Sequence, residues 1–336
     1  MKTQMGFVSA FLAVAAPAVL MADATLPTTF DASTGYVTMT GTDSAHGSRS
    51  QYAFCNSDNN GSLPPVGTGK TGKWSDGLAP HSGTNYYVGS SMTLCTDNAS
   101  GACTFAGDRL VIGNGGVLQS MANGSNSARI NDLWMIGGSK FSWSAVKNPL
   151  TGTAHVVDSS KSFVYFTVSY DGNAIQTFKM KLVGDENQQV FASGTNAKDA
   201  SGVDGVVRSG HLDLDCDLSG YTGKVLLSDK MLVRIGTSLP GTAQMWSGKY
   251  NGYFGSMPNK GNLSVGEVIL VRNTKLVASQ GTTLTVKKLQ WVDSTSSLGV
   301  AWGAATDGPG KLVIETRTGN WPSIPIAVTV DGMPYT

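Results

Sequence analysis

Hydrophobic and polar residues alternate along this chain in short runs, each closed by Gly, Asn, Asp or Ser. Such runs lie at 86–88, 109–112, 116–118, 128–136, 163–168, 177–183, 211–218, 224–227 and 231–235. They continue at 267–271, 275–278, 282–286, 287–291, 311–314 and 325–330. A period of two with β-branched and aromatic residues predicts strands. No window places apolar residues at i, i+3, i+4 and i+7 over three turns, so no long amphipathic helix is expected. The chain reads as all-β.

Many short strands build either sandwiches or solenoids. Three features favour the solenoid. Strand centres fall seven or eight residues apart, as at Val225 and Leu232 or at Val268, Leu276 and Leu284. That leaves no room for the long arms of a sandwich hairpin. Phrases of one type recur, a polar turn followed by a strand, at 107–118, 228–236 and 280–286. Glycine stands at the corners, where positive φ costs it little. The expected fold is a parallel β-helix over 73–336, preceded by a loose cap over 25–72 with one strand at Tyr36; β-sandwiches are the alternative. Each rung is too small to bury its own Leu, Val and Ile, so stacking must supply the core.

Composition sharpens this picture. Only 14% of residues are charged while 42 are glycine, and short uncharged polar residues favour turns over helices. Net charge is +1 with no basic stripe, so nucleic acid is excluded as an expected partner. Lys2, the apolar stretch from Phe7 to Met21 and the small residues Ala22-Asp23-Ala24 form a secretory signal over 1–24, with cleavage expected after Ala24 and Ala22 as the other candidate. No second apolar run follows, so the mature chain is expected to lack a transmembrane helix and to lie outside the cell or on its outer surface. Four cysteines (Cys55, Cys95, Cys103 and Cys216) suit an oxidising compartment. Cys95 and Cys103 flank one short loop and form the preferred disulfide.

Candidate chemistry is sparse. Gly67-Thr-Gly-Lys-Thr lacks the first glycine of a phosphate loop, having Pro64 in its place, and reads as a turn. Asp213, Asp215 and Asp217 alternate with Leu212, Leu214, Cys216 and Leu218, which puts three carboxylates on one face. Clustered carboxylates suit a hard cation at Asp213 and Asp215, or the acid and base of polysaccharide cleavage with Arg208 and His211 beside them. The competing reading is an outward, solvated strand face. Trp246, Tyr250 and Tyr253 fall in a Gly- and Ser-rich stretch read as a loop, where exposed rings would stack on sugars or anchor a protein. No cofactor is expected, and no nucleophile-and-base arrangement stands out.

The phrases Lys73-Trp-Ser-Asp-Gly-Leu-Ala-Pro-His-Ser-Gly, Tyr86-Tyr-Val, Phe105-Ala-Gly-Asp-Arg-Leu-Val-Ile-Gly-Asn-Gly-Gly and Asp217-Leu-Ser-Gly-Tyr-Thr-Gly-Lys-Val-Leu-Leu-Ser resemble autotransporter-type β-solenoid passengers of bacteria. The resemblance implies export, surface display and an adhesive or structural scaffold binding glycans or proteins. A β-helical lyase or glycoside hydrolase is the alternative activity. Such proteins commonly end in a membrane β-barrel, of which residues up to Thr336 show no sign. Release, or a lost or separate C-terminal part, are the alternatives.

Overall fold

The computed structural model describes residues 25–41, 54, 74–96, 103–120, 128–143, 150–168, 175–194, 200–201, 207–245, 252–292, 295–302, 307–319, 326–330 and 333–334. Apart from one turn of 3-10 helix at Ala32–Thr34, the elements along them are strands. They stack into a β-solenoid of about 8 turns. The signal segment 1–24 lies outside the described residues.

Three parallel sheets wall the column. The first runs from Tyr36–Thr38 through Asn85–Val88, Arg109–Ile112, Ala128–Ile136, Leu150–Val157 and Lys181–Gly184 to Gly220–Tyr221. The second runs from Thr93–Cys95 through Val117–Ser120, Lys140–Trp143, Val164–Val168, Gln189–Gly194 and Lys224–Leu227. It continues through Leu239–Gln244, Gly261–Leu270 and Thr282–Trp291 to Lys311–Gly319. The third begins only at Gln176–Phe178 and passes through Gly210–Leu214, Met231–Ile235, Tyr253–Ser256, Lys275–Ala278 and Ser297–Trp302 to Ile326–Val330. Only the second sheet runs nearly the whole length. Sandwich sheets of antiparallel hairpins are not what these strands form. Antiparallel pairing among the described residues is confined to Ala200–Ser201 with Val207–Arg208, Ile326–Val330 with Met333–Pro334, and a bridge from Met39 to Trp74.

One turn takes about 22 residues where nothing is inserted: Tyr253 pairs with Lys275, and Lys275 with Ser297. The short hairpin at 200–208 stretches the turn, so that Gln189 pairs with Lys224. Insertions like this one blur the repeat in the sequence. The first strand, Tyr36–Thr38, is the edge of the first sheet and pairs in register with Asn85–Tyr87, so part of the segment read as a cap joins the column.

Stacking builds the core from ladders of identical side-chain direction. Leu94, Leu118, Phe141, Phe166, Ala192 and Leu227 follow one another in register up the second sheet, all buried. Leu212, Val233, Phe254, Leu276 and Leu298 do the same in the third. Each such side chain contributes about 1.5–3 kcal/mol of transfer free energy, and none can realise it without the rung above or below.

A bulge re-aims two side chains of the first sheet. Ile130 pairs with Gly152 but Asp132 with Thr153, leaving Asn131 as the extra residue. Ala128 and Ile130 point inward before it, Leu133 and Met135 after it, so Asn131 and Asp132 both face out. Gly152 accommodates the bulge at φ +122°, and a Cβ there would lie 1.6 Å from the Ile130 carbonyl oxygen. Gly152→Ala is therefore expected to cost about 2–3 kcal/mol, since strained φ and a backbone clash coincide. A chemical denaturation midpoint unchanged from the parent would show that the bulge relaxes freely.

Candidate functional site

The three alternating aspartates do emerge on one side, but they do not form an open acidic site. Asp213 sits in the Gly210–Leu214 strand; Asp215 and Asp217 follow in the corner leading to Gly220–Tyr221. Asp213 is the surprise, because its side chain is only 5% exposed although it faces out. Register places Arg234 beside it on the next rung, and the guanidinium is bidentate: Nε donates to Oδ1 at 2.8 Å and a terminal nitrogen to Oδ2 at 2.7 Å. His211 Nε2 lies 2.9 Å from Oδ1. Burial pushes the Asp213 carboxyl up, but the hydrogen bonds from His211 and Arg234 and their charges outweigh it and hold it below the usual carboxylate range. Asp215 accepts from Lys260 Nζ at 2.7 Å, with Lys179 Nζ at 3.9 Å on its other side. Asp217 faces Lys181 at 3.4 Å. Each carboxylate thus meets a cation on a neighbouring rung. The three carboxylates form a rung-to-rung charge ladder, solvated at Asp217, half-buried at Asp215 and sealed at Asp213. Among the described residues no group of three or more His, Cys, Asp or Glu is arranged to hold a metal.

A second cluster lies on the outer face of the first sheet, around Trp134. Asp132, turned outward by the bulge, accepts from Arg109 Nε at 2.8 Å and from Trp134 Nε1 at 2.7 Å; His155 Nε2 lies 3.3 Å away. The Arg109 guanidinium lies 4.6 Å from the centroid of the Trp134 ring, and His155 stacks on that ring at 4.5 Å. Burial raises the Asp132 pKa, yet its bonds to His155 and Arg109 pull it below the ordinary value. Beyond Val111 the face is covered by residues before the first strand: Phe30 stacks flat on Tyr87 at 4.3 Å and meets Tyr36 edge-on. Arg109, Asp132, Trp134 and His155 are turned toward one another. Arg109, Asp132 and His155 recur at a step of 23 residues, the one sequence signal that would have grouped them.

The outer face of the second sheet is different. A groove of about 400 Å³ opens there, lined by Gly115, Gly116, Val117, Gly138, Lys140, Tyr165, Thr167 and Ser193. Val117, Lys140, Tyr165 and Phe191 are one in-register row; Ser142, Thr167 and Ser193 are the next. Phe163 and Phe191 hold the Tyr165 ring edge-on at 6.0 and 5.9 Å. Gly115 and Gly138, at φ +74° and +89°, form the corner wall; a Cβ on Gly138 would sit 2.1 Å from Asn114 Oδ1. The wall is therefore glycine backbone backed by the Asn114 side chain.

Of the aromatic candidates, Trp246 and Tyr250 lie outside the described residues. Tyr253 is described, and not on a loop: it opens the Tyr253–Ser256 strand of the third sheet, half-buried, while Phe254 points inward and is fully buried. Glycine-rich composition is misleading there, because Gly252 and Gly255 flank an inward aromatic in a genuine strand. Cys95 is buried in the second sheet with Sγ 3.5 Å from Gln119 Oε1, and the side chain of Cys103 lies outside the described residues, as does Cys55. Cys216 is a free buried thiol whose pKa is pushed up by burial and by the charges of Asp215 and Asp217. No described helix is long and apolar enough to cross a membrane.

The fold and these surfaces define a parallel β-solenoid built on three successive, overlapping sheets, with polar flanks. No family model, curated protein or solved structure matches the chain.

Proposed function

We propose that this chain is an exported, surface-displayed scaffold that binds a glycan or a protein along its flanks and does not cleave it. One contrast carries the reading. The carboxylates that a hydrolase or lyase would use are tied to cations on adjacent rungs, whereas the second sheet leaves an open, polar and aromatic groove. A general acid or base must exchange protons with substrate, and a carboxylate only 5% exposed under a bidentate arginine is poorly placed to do so. A stiff column that repeats one surface from rung to rung suits display and adhesion. The amino-terminal signal supports export, and the resemblance to autotransporter passengers supports a surface location.

The test combines retention with turnover. The chain expressed with residues 1–24 is expected outside the cytoplasm, beginning at Thr25 by mass spectrometry. Purified, it should be retained on an array of glycans and extracellular proteins while releasing no reducing ends or unsaturated products from polysaccharide. Turnover abolished by Asp213→Asn would replace this reading with the enzymatic one, and retention on no surface would remove it.

A further inference from the structure

We infer that the groove on the outer face of the second sheet is a binding site for an acidic oligosaccharide, with Tyr165 as its stacking platform and Lys140 as its anion contact. The inference rests on the binding-scaffold reading and names its ligand. Three observations carry it.

The first is the platform. Tyr165 projects outward from the Val164–Val168 strand, half-buried, and the edge-on contacts to Phe163 and Phe191 fix its plane. A fixed aromatic ring costs little entropy on binding and offers its face to the C–H surface of a pyranose.

The second is the polar complement. Thr167 and Ser193 lie in the row beside Tyr165, on its own rung and the following one, with their Oγ atoms hydrogen-bonded at 3.4 Å; Thr167 is buried, so Ser193 is the hydroxyl that faces the groove. Side chains in such a row repeat at about 4.8 Å from strand to strand. A sugar resting on Tyr165 meets the half-buried Ser193 hydroxyl on the following rung. Gly115, Gly116 and Gly138 bring no side chain of their own to this corner, against which the Ser90 and Asn114 side chains pack.

The third is the charge. Lys140 is exposed, shares its row with the uncharged Val117 and Tyr165, and makes no ion pair among the described residues. Lys179, Lys181, Lys260 and Lys288 are each set against a carboxylate on a neighbouring strand or corner; Lys224, Lys287 and Lys311, like Lys140, make no ion pair among the described residues, and what sets Lys140 apart is the groove it lines beside Tyr165. A cation left without a carboxylate beside an aromatic platform favours a sugar that brings its own, a uronic or sialic acid.

Isothermal titration of the mature chain with tetragalacturonate and with neutral cellotetraose tests the assignment. The acidic tetrasaccharide is expected to bind more tightly. Lys140→Gln should weaken it by about tenfold, the worth of one charge-assisted hydrogen bond, and leave the neutral sugar unchanged. Tyr165→Ala should abolish binding of both, while Tyr165→Phe, which keeps the ring, should restore it; circular dichroism confirms that each variant is folded. Acidic binding that survives both Lys140→Gln and Tyr165→Ala overturns the groove but leaves the scaffold reading standing. The same holds if neither tetrasaccharide binds while the chain is still retained on arrayed proteins or other glycans. Binding to nothing on the array removes both.

Discussion

Arg234→Ala is expected to lower stability by about 3–5 kcal/mol, the cost of leaving a buried charge without its partner. The size follows from the sealing of Asp213. Its two oxygens take both donors of the Arg234 fork, and only His211 remains when the fork is removed. An exposed pair on a sheet surface would contribute under about 1 kcal/mol, so the measurement separates the two situations cleanly. The pH dependence adds a second check. The folded Asp213 titrates below the unfolded value of about 3.9, so its contribution is complete above that pH and is lost as pH falls through the lower, folded value. The gap between parent and Arg234→Ala should therefore be widest near neutrality and should narrow on acidification, as the stranded carboxylate takes a proton. Urea denaturation at neutral pH and again at about pH 3 measures both. A neutral-pH loss under about 1 kcal/mol would show that water reaches the carboxylate after all.

That pair also shows where sequence reading stops. Asp213 with its alternating neighbours was legible, because a period of two is a local property. Arg234 was not, because pairing it with Asp213 requires the length of that particular turn, 21 residues, and Lys260 reaches Asp215 only two turns on, 45 residues away. Strands such as Lys224–Leu227 and Met231–Ile235 match the runs read at 224–227 and 231–235, because they are apolar segments closed by turn residues. Leu150–Val157 escaped notice because Gly152, needed opposite the Asn131 bulge, interrupts it. The Lys140–Tyr165 row was hidden for another reason. Its members come from separate rungs, and nothing in the local composition around Lys140 marks a binding surface.

The third wall raises the question of how the two halves of the column are joined. The first sheet ends at Gly220–Tyr221 and the third starts at Gln176–Phe178, so three walls coexist over a short overlap and only the second sheet is continuous across it. An aromatic cluster fills the interior at that junction. Phe166 from the second sheet packs on Phe178 of the third at 4.8 Å, and on Phe141 and Trp143 of the preceding rung at 5.9 Å each. Phe166→Ala is expected to cost about 3–5 kcal/mol, transfer and cavity terms together. Its thermal signature should be more specific than its size. In a stack held by nearest-neighbour contacts, weakening one interface uncouples what lies on either side. The amino-terminal rungs, walled by the first and second sheets, should then unfold apart from the carboxy-terminal rungs, walled by the second and third. Calorimetry is expected to show one transition in the parent and two in Phe166→Ala, with Val233→Ala, buried at one rung of the third sheet and away from this aromatic cluster, keeping a single lowered one. Two variants that both melt in one step would mean that the continuous second sheet alone couples the column, and that the aromatic cluster only fills space.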